Sequence, residues 1–213
     1  MFEIPLFPLN TVMFPDMPMP LHIFEDRYKL MIKTCIEEKR PFGIVLIREG
    51  TAENGPLATP HDIGCTVEIT QVQTMEDGRM LIMVIGQERF RILSLKGDKP
   101  YLVGVVESVS LEMENEQMLA RMSGRLRPLV IDYLQILSKV GQIDFDPVQV
   151  PTEPQALGYL AAAVIQLPTE QKQSFLTTDS PTTLLRQLHH SFQQEVALMQ
   201  HMPKANQGLF SLN

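Results

Sequence analysis

The chain has no tryptophan and only two cysteines among its 213 residues. Cys35 and Cys65 fall within a helical and a strand-like pattern, which points to buried free thiols rather than a disulfide. Positive charge is in deficit: 18 Lys and Arg stand against 25 Asp and Glu, a formal charge of -7. That balance works against nucleic acid or an anionic membrane surface as the main partner. No apolar run nears the ~18 residues of a spanning helix. No basic region precedes the first apolar residues, as one would in a signal peptide. A cytoplasmic location is the expectation. Chemistry is scarce as well. Of the histidines only His189 and His190 are close in sequence, and neighbours on a helix point about 100° apart. No Cys-x-x-Cys, His-x-x-x-His, Gly-x-Ser-x-Gly or glycine-rich phosphate loop is present. The sequence therefore predicts no catalytic residue, no metal and no cofactor.

Proline and apolar residues are plentiful. Five prolines fall between Pro5 and Pro20, with apolar residues in most of the gaps. Proline fixes φ and turns the preceding residue away from helix, so a short strand followed by an extended, irregular connection is expected. From Phe24 the apolar residues recur at Tyr28, Met31, Ile32, Cys35 and Ile36, one stripe of an amphipathic helix. Glu25 and Asp26 lie at its start, as the helix dipole favours.

Strand patterns follow at 43–47, 65–74, 80–85, 88–93 and 101–111, with a loop over 48–63. Asp77-Gly78 marks a hairpin turn, and Met80–Ile85, apolar on both faces, reads as a central strand. About six strands with one helix after the first suit a curled, barrel-like sheet better than a parallel α/β sheet. Near Glu112 the pattern changes. A long helix runs to Val140, and Pro128 should kink or split it. Three more helices follow, over about 153–165, 168–176 and 181–199; Ser180-Pro181 caps the last. The expected division is a β-rich domain over 1–112, a bundle of about four helices over 113–202, and a tail from 203 to 213.

The candidate site is a surface. Met13, Phe14, Met17 and Met19 sit in irregular backbone beside Glu25, Asp26 and Arg27. One reading has the four apolar side chains plugging the open end of the barrel. The other makes them a shallow patch for an extended or unfolded polypeptide, methionine being adaptable to varied partners. An exposed strand edge could add backbone pairing. The glutamates at 112, 114 and 116 read as a solvated face.

Motifs in order carry a resemblance. They are Ile4-Pro5-Leu6-Phe7-Pro8-Leu9, Val12-Met13-Phe14-Pro15, Pro20-Leu21-His22-Ile23-Phe24-Glu25 and Arg27-Tyr28. Phe42–Leu46, Ile63-Gly64-Cys65, Asp77-Gly78-Arg79, Gly86 and Arg89-Phe90-Arg91 follow, then Leu167-Pro168, Lys172-Gln173 and Leu185-Arg186. Over residues 2 to 200 the chain resembles the N-terminal domain of the Lon ATP-dependent proteases, and above all bacterial proteins containing only that domain. Asp26 departs from the pattern, since proline is frequent there. The resemblance implies an α+β fold: a six-stranded PUA-like pseudo-β-barrel with one inserted helix, then a helical bundle. It also implies a non-catalytic polypeptide-binding module, for substrate recognition or an adaptor role in protein quality control. The ATPase and Ser-Lys peptidase parts of Lon have no counterpart in these residues. An RNA-binding PUA-like protein is the alternative, and it would need a basic groove bearing aromatics. A small-molecule enzyme using the gap between the halves is a third.

Overall fold

The computed structural model describes residues 1–51, 58–139 and 146–201. The expected tail at 203–213 and residues 52–57 of the loop expected over 48–63 lie outside the described residues. Within the described part of that loop, one strand runs on to Glu49, Thr59–Pro60 form a short strand and another begins at Ile63. The chain is a mixed α+β protein. Its strands are β1 (Phe2–Leu9), β2 (Pro18–Ile23), β3 (Phe42–Glu49), β4 (Thr59–Pro60), β5 (Ile63–Thr74), β6 (Met80–Lys96) and β7 (Leu102–Ser108). Its helices are α1 (Asp26–Glu37), α2 (Glu116–Lys139), α3 (Pro154–Val164), α4 (Thr169–Thr177) and α5 (Pro181–His201).

Pairing runs β1-β7-β6-β5-β3, and a parallel β1–β3 pair closes the circuit. β1 tolerates Pro5 and Pro8 because its neighbours divide it. Its first half pairs with β7 from Phe2 to Leu6, its second with β3 from Leu6 to Leu9. Among the described residues each proline therefore has one side free for the position without an N–H. Two strands escape the sequence reading, β2 and the short β4. Pro18–Ile23, expected as irregular, pairs in full register with Met80–Ile85. Pro18 and Pro20 share a parity and, among the described residues, β2 has one neighbour, so both ring nitrogens fit an edge strand. Conversely, the separate strands expected at 80–85 and 88–93 are one. Gly86 marks a register shift between Val67↔Gly86 and Cys65↔Arg89, a bulge within a continuous strand rather than a break.

Between Met75 and Arg79 the hairpin turn forms as expected, with Gly78 at φ 79 and its N–H donating to the Met75 carbonyl at 2.9 Å. α1 buries Tyr28, Met31, Ile32 and Cys35 against Phe42, Cys65, Met80, Ile82 and Val84. Both cysteines are free and buried, as their patterns imply.

Two compact units result. One comprises residues 1–110 and 166–179, the other 111–165 and 180–213. Residues 166–179 thus depart from a simple division near Glu112. α4 belongs to the β unit because two buried polar side chains tie it there. Gln173 Nε2 donates to the Ile63 carbonyl at 2.9 Å, and Arg89 donates to carbonyls at the end of α4. In the other unit α2, α3 and α5 pack together around Leu126, Tyr133, Leu157, Leu188 and Phe192. Tyr133 meets Phe192 edge-on at 5.2 Å. Pro128 does not split α2. It is exposed, and so is Gly124 one turn earlier, so the carbonyl it leaves unpaired is on the solvated side.

Candidate functional site

The connection from β1 to β2 is pinned to the middle of β6. Asp16 N–H donates to the Gly86 carbonyl at 2.9 Å, and Gly86 N–H returns a bond to Met17 at 3.0 Å. Asp16 takes φ 63, a left-handed turn that aspartate tolerates. A Cβ on Gly86 would stand 2.1 Å from the Phe14 carbonyl oxygen, so only glycine admits this approach.

This anchoring decides where the sequence-predicted residues go. Met13 and Phe14 are each 1% exposed. They are core, and a ligand cannot touch them unless the connection moves. Met17 and Met19 are half-buried and pack against the same core as α1. Arg27 lies 2.9 Å from Glu25 and 4.7 Å over the Tyr28 ring, so those two charges engage each other. Asp26 is exposed and paired with Lys29 at 3.2 Å. Burial pushes the Tyr28 phenol above its usual range, against a smaller downward pull from Arg27. The seven residues do not gather into one outward patch.

An outward apolar face lies on the other side of the same strands. Alternation sends Leu21, Ile23, Ile82 and Val84 inward. By the same register Pro18, Pro20 and His22 of β2 share the opposite face with Ile85, Met83 and Leu81 of β6. Gln71 and Gln73 of β5 continue it opposite Met83 and Leu81. Pro18, Pro20, His22 and Leu81 are exposed, Met83 and Ile85 half-exposed. Phe24, 40% exposed, extends the patch through its ring contact with His22 at 5.6 Å.

Sequence reasoning missed this face because Met80–Ile85 is apolar at every position, a pattern read as burial on both sides. The available signal was Pro18-x-Pro20, which marks an edge strand.

The surface also carries a groove of about 610 Å³ beside β5, with Phe2, Ile36, Ile69 and Val72 among its lining residues. Cys35 lies at its wall, its thiol pushed up by burial, with Arg40 the largest opposing influence. Among the described residues, no helix is long and apolar enough to cross a membrane.

The family described as the ATP-dependent protease La (LON) substrate-binding domain matches residues 3–194. Lon protease 2 of Myxococcus xanthus is 27% identical over 177 residues, 82% of this chain and 21% of that protein. The Lon protease of Anaeromyxobacter dehalogenans is 25% identical over the same share of each. The chain thus spans about a fifth of the length of these curated relatives. Among solved structures, a Lon N-terminal domain protein from Xanthomonas campestris has a TM-score of 0.61 at 23% identity, covering 95% of this chain and 100% of that one. The N-terminal domain of a Mycobacterium avium complex Lon protease has a TM-score of 0.69 at 22% identity, covering 90% and 98%.

Proposed function

Because the chain belongs to the family of the Lon substrate-binding domain, we propose that it is a non-catalytic substrate-recognition module for polypeptide, acting as an adaptor in protein quality control. The closed circuit of five strands is what we read as the PUA-like pseudo-barrel, with the later helices as its bundle. One observation carries the functional reading: the outward face formed by Pro18, Pro20, Leu81, Met83 and Ile85, extended by Phe24. Apolar patches of this kind on an otherwise acidic surface suit segments that a folded protein would hide. Met17 and Met19, which pack against the core on the opposite side of these strands, and Glu25, Asp26 and Arg27 at the head of α1 are a separate stretch that we also assign to polypeptide. Binding of one extended chain there is weak, on the order of micromolar, because ordering the chain costs entropy.

The test is binding of a reduced, alkylated unfolded protein to the full chain and to Met83→Asp and Leu81→Asp. Both positions point outward, so the melting temperature stays close to that of the parent. A loss of about tenfold in affinity is expected for each variant. Unchanged affinity in both would remove this face from the reading. Capture that fails steeply with salt and carries RNA would favour the nucleic-acid alternative.

A further inference from the structure

β6 accompanies β5 along its length, but on the other side β3 pairs only from Phe42↔Val67 to Ile44↔Cys65. Among the described residues, no strand lies on that side of Glu68–Thr74. The chain leaves this edge through Lys39, at φ 50, and Pro41. The groove of about 610 Å³ runs there, and five consecutive residues of β5, Glu68 to Val72, line it. Successive side chains on a strand point to opposite faces, so five in a row border a groove that follows the strand's edge over that length, and Thr66, Gln87 and Glu88 line the groove beyond it.

We infer that this groove takes an extended polypeptide segment that adds a strand to the free edge of β5, with apolar side chains on Ile36, Ile69 and Val72 and a lysine or arginine beside Glu68 and Glu88. The inference rests on the polypeptide-binding reading above and names a second, separate surface for it. Three features support the occupant.

The edge from Glu68 to Thr74 contains no proline and no lysine, two residues that blunt a strand edge, and a single charge, Glu68, whereas β2 carries Pro18 and Pro20 on its own. Thr70 is the extra residue between Ile69↔Val84 and Gln71↔Met83, so Ile69 and Val72 share the face that meets Ile36. The same bulge twists the edge, which a flexible segment follows and a preformed sheet from a second copy does not.

Charge selects a basic segment. Glu68 and Glu88 line the groove with Lys39 and Arg40, but Arg40 Nε lies 2.9 Å from Glu38, which offsets its charge. Glu88 accepts a bond from Ser108 Oγ at 3.2 Å. Opposite charges across a strand pair stabilise it, and like charges oppose it. A free edge of seven residues spans roughly 23 Å, the length of a short extended peptide.

The experiment uses the full chain and a fluorescein-labelled, end-blocked peptide of alternating valine and threonine with one central lysine. Amide hydrogen exchange should slow at Glu68–Thr74 when the peptide binds. Glu68→Lys and Val72→Lys, both at exposed positions, should lower affinity by about tenfold while leaving the melting temperature in place. A probe with glutamate for lysine should recover affinity for Glu68→Lys. Binding with protection confined to β2 and Leu81–Ile85, indifferent to Glu68→Lys, overturns the edge proposal and leaves polypeptide binding standing. So does binding of the unfolded protein without the probe. Protection of Glu68–Thr74 by self-association alone replaces the peptide with a second copy. Failure of both probe and unfolded protein to bind removes both readings.

Discussion

Arg89 Nη1 donates to the Leu176 carbonyl at 2.8 Å, joining the middle of β6 to the end of α4 across 87 residues of sequence. The same nitrogen donates to Thr178 at 2.7 Å, and Nη2 reaches Asp179 at 3.3 Å. The guanidinium side chain is 1% exposed. A cation at a helix C-terminus opposes the helix dipole, and here it also satisfies carbonyls that the helix leaves free. Arg89→Met should lower the free energy of unfolding by about 3 kcal/mol, since the remaining carbonyls lose charged donors in a buried place. Arg89→Lys should recover only part, because an ammonium cannot reproduce the fork. Asp179→Asn should cost about 1 kcal/mol or less, its carboxylate being 43% exposed. Urea denaturation of the three variants separates these outcomes.

Gly86 yields a second prediction. Gly86→Ala places a methyl 2.1 Å from the Phe14 carbonyl oxygen, and that oxygen belongs to backbone anchored on both sides. The expected cost is about 3 kcal/mol, with the connection over Phe14–Met17 detached. Gly78→Ala meets open space but keeps φ 79, so it should cost only about 1 kcal/mol. Thermal unfolding of the two variants distinguishes crowding from dihedral strain. Equal, small losses would mean that the Phe14 connection yields easily.

Much of the fold was legible because periodicity reports burial. The stripe from Tyr28 to Cys35 gave α1, and Asp77-Gly78 gave the hairpin at the expected place. Ser180 caps α5 as read, its Oγ accepting the Thr183 N–H at 3.1 Å. The errors share a cause. Proline in Pro18–Ile23 suggested irregular backbone, but an edge strand has a side on which a missing N–H is harmless. Residues in irregular backbone have no period, so the sequence left two readings of Met13 and Phe14 open, buried or on a surface patch, and they are buried. The bonds of Arg89 and Gln173 to α4 and β5 span 87 and 110 residues, and no local pattern carries such distances.

Cys65 gives a pH dependence with a definite sign. Burial pushes its thiol from the ordinary 9.0 up to about 12. Below pH 9 the thiol is neutral folded and unfolded, and stability is at its full value. Between 9 and 12 the unfolded chain ionises first, so stability falls as pH rises. Cys35 and Tyr28 are raised by burial as well and add to the same fall. Cys65→Ala, referenced to its own stability at pH 7, should show a shallower decline across that window. A thiol reagent at pH 8 should modify the folded chain far more slowly than the urea-unfolded one. Equal rates would mean that the core around Cys65 opens readily.

Glu114 should govern the acid side within the helical unit. Expected as part of a solvated run, it instead caps α5. Its carboxylate accepts the Thr182 and Ser180 hydroxyls and the Thr182 N–H. Those bonds, the Thr182 hydroxyl first, hold the carboxyl below its ordinary 4.5. A depressed folded pKa contributes stability above the unfolded value and loses it as pH falls from 4.5 through the folded one. Glu114→Ala should cost about 1 kcal/mol at pH 7, as loss of a helix cap does. It should also flatten the stability profile below pH 4.5, because the titrating group is gone. Urea midpoints at pH 7 and pH 3 for both chains decide it: a deficit equally large at pH 3 would show that the side chain acts by packing, not by its charge.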